Sequence, residues 1–162
     1  MVPRLLAEQP EEWRLGRLTV VVDRTRGAAQ VRFARLPVAR ASAAGGEVVA
    51  ACRRALARFQ AESLPPDQLA AALIAAHPGG AAALLDLVPR VGRAAGRRRY
   101  SRAQFVWDLA RMRRERGLAL PQGQRIAVDV ATGAGAPAGA LWIEDESGTG
   151  QYYRTLRLLV NP

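Results

Sequence analysis

At 162 residues and 49% apolar composition, the chain is long enough to bury one hydrophobic core without staples. Its single cysteine, Cys52, rules out an intramolecular disulfide, which excludes a disulfide-stapled secreted scaffold and predicts a reducing, cytoplasmic setting. The formal net charge of +10 points toward a polyanionic partner.

The start of the chain meets Glu8, Pro10, Glu11 and Glu12 before an apolar run of about seven residues can form, which is not a secretory-signal pattern. The longest apolar stretch, 69–76, is far short of the ~20 residues that span a bilayer, so no membrane is expected. All 24 basic residues are arginine, as biased codon usage would produce, but such drift would scatter them. Residues 90–116 instead carry a net +8, against +5 over 1–64, −2 over 65–89 and −1 over 117–162.

In chain order, 1–16 reads as an N-terminal arm. Residues 17–36 alternate apolar and polar side chains and predict a β-hairpin, with Leu18, Val20 and Val22 on one side and Val31 and Phe33 after the turn. Pro37 and the small residues of 39–46 predict an exit loop. A helical segment then covers 46–117. Val49, Cys52, Leu56 and Phe59 recur at spacings of three and four in its first helix. A second helix opens at Pro65-Pro66-Asp67 and ends at His77-Pro78-Gly79-Gly80. A third, 81–88, is closed by Pro89, with an Arg-rich loop over 90–102. Ser101 and Gln104 have capping-box spacing, predicting a helix from Arg102 to a stop at Gly117. Residues 124–160 read as a three-stranded meander, with strands at 124–131, 140–145 and 151–160. The whole predicts a single α+β domain over 1–162, with hairpin and meander in one mostly antiparallel sheet and three to four helices between them.

The sharpest functional signal lies on the helix from Arg102. Phe105, Leu109 and Met112 form an apolar stripe, and Trp107, Arg111 and Arg114 lie about 180° away. Arginine offers a planar fork to phosphate, and an exposed indole stacks on bases. This predicts a non-enzymatic nucleic-acid-binding protein, for DNA or RNA. Arg97, Arg98, Arg99 and Arg102 would lie on phosphates, with Trp107, Arg111 and Arg114 against bases or backbone. The competing reading is a protein-binding adaptor, or a subunit of a larger complex, in which the same stripe meets an acidic protein partner. A second surface is the meander, where Arg125, Trp142, Tyr153 and Arg157 are expected to face away from a core of Ile126, Val128, Val130, Leu141, Ile143, Leu156 and Leu158.

Catalytic signals are weak. Asp129 followed by Glu144, Asp145 and Glu146 has the order in which metal-dependent nucleases hold carboxylates, but the lysine such cores usually carry is missing, since the chain has none. His77 is the only histidine and is expected to cap a helix end, while Cys52 sits on an apolar stripe as a small buried hydrophobe. No catalytic residue, metal site or cofactor is therefore assigned. The order helix-then-hairpin suggests a winged helix-turn-helix, but 89–100 is too long a connection and no family is named.

Overall fold

Early in the chain, alternation of apolar and polar side chains builds an antiparallel sheet. The computed structural model describes residues 3–8, 10–132, 138–144 and 149–160. Strands β1 (Arg4–Glu8), β2 (Glu11–Leu15), β3 (Leu18–Asp23), β4 (Ala28–Phe33) and β5 (Leu36–Ser42) pair in chain order. Leu18 opposes Phe33 and Val20 opposes Val31, so these side chains share a face. Helix α1 (Gly45–Glu62) covers that face with Val48, Cys52, Ala55 and Phe59, and the Phe33 and Phe59 rings meet at 5.1 Å between centroids.

Instead of an arm, 4–8 and 11–15 are strands β1 and β2, and the expected hairpin becomes the middle of five strands. Of the loop expected at 39–46, 45–46 already open α1, and half, residues 39–42, is the end of β5. Its hairpin turn, Ala34-Arg35, takes φ of 50° and 64°. Two-residue hairpin turns need such angles and usually signal them with Gly, Asn or Asp, which are missing here. Pro37 is accommodated because β5 is an edge strand whose register slips beside it, between Val31 and Arg32.

Contacts cluster into two compact units, Met1–Glu62 and Ser63–Pro162. The second holds helices α2 (Pro66–Ala76), α3 (Leu84–Ala94) and α4 (Arg102–Arg116) and strands β6 (Ala81–Ala83), β7 (Gln124–Val130), β8 (Leu141–Glu144) and β9 (Gly150–Val160). The α+β class holds, but the two β blocks do not share one sheet. Each forms its own, because each finds its own helical cover: α1 packs on the first sheet, α3 and α4 on the second.

Nor is 124–160 a meander. The 11-residue β9 is the longest strand and sits centrally, with β7 on one edge and β8 and β6 on the other. This pairs β9 on both sides at Tyr153 and from Thr155 to Arg157. A bulge between Asp129 and Val130 leaves Arg154 without a partner on β7 and reverses which side chains point inward. Tyr152 rather than Tyr153 therefore shares a face with Trp142, their rings 5.0 Å apart; Val130, the last residue of β7, is 50% exposed instead of buried.

Helix α3 also differs from expectation. Residues 81–83 pair with β9 as β6, and the helix runs through Pro89 to Ala94. Leu84, Leu87, Val88 and Val91, none more than 3% exposed, form one stripe on both sides of the proline. An interior proline costs about 3 kcal/mol, whereas each such side chain contributes roughly 1.5–3 kcal/mol on burial, so the stripe prevails. Among the described residues no helix is long and apolar enough to cross a membrane.

Candidate functional site

The Arg-rich segment is a built turn, not a frayed loop. At the end of α3, Gly96 takes φ 69°, its N–H bonds the Arg93 carbonyl at 3.0 Å, and the Arg97 N–H bonds the Gly92 carbonyl at 2.8 Å. That pair of bonds is a Schellman motif, which satisfies the last carbonyls and turns the chain out of the helix axis at Arg97. Four residues on, the Ser101 hydroxyl accepts the Gln104 N–H at 3.0 Å and starts α4. The expected cap is thus present, and Gly117, at φ 66°, ends the helix as expected. The Gln104 side chain does not return to the cap. It donates to Asp108 at 3.0 Å.

Asp108 is the anchor of this segment. Only 1% exposed, it accepts the Tyr100 hydroxyl at 2.7 Å on Oδ2 and the Ser63 hydroxyl at 2.8 Å on Oδ1, besides Gln104 and the Leu64 backbone N–H. Burial pushes its carboxyl pKa up, against the four hydrogen bonds, which favour the ionised form. Burial and the neighbouring carboxylate push the Tyr100 phenol up. Arg111 reaches the same network through Ser63 at 3.3 Å. Tyr100 also lies against α3 so closely that a Cβ on Gly92 would stand 2.6 Å from its own Cβ. Phe105 meets its ring edge-on, with centroids 6.4 Å apart.

The ten arginines of 90–116 sort into two groups. Arg111 pairs with Glu115 at 2.8 Å and Arg116 with Asp67. Arg113 and Arg114 join Arg116 in the last turn of α4, where cations favour the negative end of the helix dipole. Arg90, Arg93, Arg97, Arg98, Arg99 and Arg102 make no ion pair among the described residues. All of these are exposed except Arg97, which is half-buried. Arg97, Arg98 and Arg99 precede the Ser101 cap of α4 in sequence and Arg102 opens its first turn, which has no acidic residue. A cation in that first turn, as Arg102 is, is unfavourable by about 0.3–1 kcal/mol in the absence of an anion.

The expected indole is not on this surface. Trp107 is 8% exposed, because α4 is enclosed by α2, α3 and β8 and every side chain from Ala103 to Ala110 is buried. The Trp107–Arg111–Arg114 stripe therefore breaks up: Trp107 is core, Arg111 is half-buried and paired, and Arg114 alone is exposed. On the second sheet the Trp142 indole donates to Glu144 at 3.2 Å and lies over Gly150, where a Cβ would meet it at 2.8 Å. Beside it, Arg157 clamps Asp129 through two bonds and the Thr155 hydroxyl donates to the same carboxylate at 2.7 Å, so the Asp129 pKa is lowered. Asp129 is thus engaged as a cross-strand ion-pair partner, while Asp145 and Glu146 lie outside the described residues. Among the described residues no group of three His, Cys, Asp or Glu could hold a metal.

His77 is the C-cap of α2, its backbone N–H bonding the Leu73 carbonyl at 3.0 Å, while its ring bridges to another element and not to the helix carbonyls. Its Nδ1 accepts the Gly79 N–H at 3.1 Å, so the proton is on Nε2, which donates to the Leu156 carbonyl of β9 at 3.1 Å. Cys52 is buried, which raises its thiol pKa and suits the hydrophobic role.

Sequence reasoning missed the Tyr100–Asp108–Ser63 network, whose members are 8 and 45 positions apart. The one available signal was Asp108 itself, a carboxylate on an otherwise apolar helix face. Comparison with protein-family profiles, curated proteins and solved structures finds no match to this chain.

Proposed function

We propose that this chain is a non-enzymatic nucleic-acid-binding protein that grips the phosphate backbone with Arg90, Arg93, Arg97, Arg98, Arg99 and Arg102. The observation that carries the reading is six arginines that make no ion pair among the described residues, three of them on a turn whose backbone is fixed at both ends. Exposed cations without carboxylate partners suit a ligand with several anionic oxygens, and planar guanidiniums take phosphate bidentately. With Trp107 buried, the surface has cations but no exposed aromatic side chain for bases, so recognition is of backbone and not of sequence. The lone, buried cysteine supports a cytoplasmic location.

The test is fluorescence-anisotropy titration of the full chain against labelled duplex and single-stranded DNA over a range of salt. With about four phosphates engaged, log affinity should fall against log salt with a slope near −3.6 on duplex, equally for scrambled sequences. Arg98→Glu with Arg99→Glu should cut low-salt affinity by at least tenfold. A wild-type slope near zero would refute the reading. Loss of a bound partner from pull-downs on nuclease treatment supports nucleic acid, and its survival would favour an acidic protein.

A further inference from the structure

The first sheet has one face under α1, and the other is covered by no element of its own unit. Register places side chains on that open face. Arg4 stands directly opposite Arg14, Arg14 opposite Thr19, and Thr19 opposite Arg32, while one row along Val21 opposes Gln30 and Gln30 opposes Arg40. Four arginines from four strands thus share one surface. Between them lie Thr19, Val21 and Gln30, none of them acidic; the carboxylates that register puts on this face among the described side chains are Glu12 and, at the end of β3, Asp23, which accepts from Thr25 and the Arg26 N–H. Glu11 faces the other way, holding the Trp13 indole at 2.6 Å and Arg24 at 2.5 Å.

Two features mark this face as more than a solvated one. Like charges directly opposite on neighbouring strands are destabilising, and Arg4 and Arg14 are such a pair. The forks are also oriented from behind. Arg32 donates through Nε to Gln30 Oε1 at 2.7 Å, and Arg14 through Nε to the Gly16 carbonyl at 3.0 Å. A guanidinium held by Nε presents its outer nitrogens in a fixed direction.

We propose that this open face is a second nucleic-acid-binding surface, on which Arg4, Arg14, Arg32 and Arg40 take successive phosphates of one strand. Three inter-strand steps of about 4.8 Å separate Arg4 from Arg32, roughly 14 Å in all. A strand carrying a phosphate every ~3.4 Å of duplex axis offers several anions over that length, whereas one free phosphate offers a single point. The proposal rests on the reading above for its ligand class and shares none of its residues.

The two can be separated in the full chain by anisotropy on the same DNA duplex. Combining Arg4→Ala, Arg32→Ala and Arg40→Ala should lower the steepness of the salt dependence by about 2–3 and weaken low-salt binding at least tenfold. Arg4→Glu alone should weaken binding while Tm holds or rises, since it turns a repulsive pair into an attractive one. If the triple variant binds as wild type while the Arg98/Arg99 reversal weakens binding, the second surface is refuted and the loop stands. If the triple variant alone weakens binding, the second surface stands and the loop reading fails. Affinity lost only in variants whose Tm also falls, or wild-type binding to phosphatidylserine vesicles and not to DNA, would overturn the proposal.

Discussion

At the scale of single residues, Asp108 sets the terms. Tyr100→Phe leaves its Oδ2 without the 2.7 Å donor in a buried site, and the fold should lose about 1–3 kcal/mol in urea unfolding. The carboxyl also makes stability pH-dependent in a stated direction. Its folded pKa lies above the ordinary 3.8, so between 3.8 and the raised value the native state holds a proton that the unfolded chain has released. Its contribution is therefore fully present below 3.8 and is lost as pH rises through the raised value. Asp129, Asp23 and Glu11, with lowered pKa values, act oppositely and lose their contributions as pH falls. The difference between wild type and Asp108→Asn isolates the buried group. It should decline with rising pH across that window and be flat above it, and a difference that grew with pH would reverse the assignment.

At the scale of elements, the joint between α3 and α4 depends on glycine and a cap. Gly92→Ala would drive a methyl into Tyr100 at 2.6 Å, so the ring must move off α3 or the helices must part. Overpacking of this kind costs typically 1–3 kcal/mol, and the variant should also show a lowered Tm and weakened DNA binding. Ser101→Ala removes the N-cap of α4 and should cost about 1 kcal/mol. Elements with strong local signals were legible from sequence. Ser101 and Gly117 marked the ends of α4, and Leu18, Val20, Val31 and Phe33 revealed β3 and β4. The remainder was hidden for physical reasons. Ala34-Arg35 makes a left-handed turn without the usual residues, so β5 read as loop. Pro89 obeys local propensity only until a buried stripe outweighs it. The Asp129–Val130 bulge changes strand parity, which alternation alone cannot reveal. Trp107 looked solvent-facing because a helical wheel shows opposite faces and not whether both are covered.

At the scale of the whole molecule, the net +10 is better read as two arginine surfaces than as one. Residues 90–116 drew attention because their arginines are contiguous, whereas Arg4, Arg14, Arg32 and Arg40 are dispersed in sequence and gathered by strand pairing. Only once 4–8 and 11–15 are read as strands do they share a face. Both readings make polyanion binding strongly salt-dependent. On a heparin column, wild type should elute at the highest salt, and neutralising either set should bring elution forward.

Tyr100 resting on the bare backbone of Gly92 has one more result. The backbone that carries Arg97, Arg98 and Arg99 is held at both ends, by the bonds closing α3 and by the Tyr100–Asp108 bond, so on the proposed function its ordering precedes any ligand. A disordered basic tail gives up its freedom on capture, but this turn has little left to lose. Capture should then proceed at the encounter rate with only a small change in heat capacity, and calorimetry finding a large negative one would mean that the loop takes shape on the ligand.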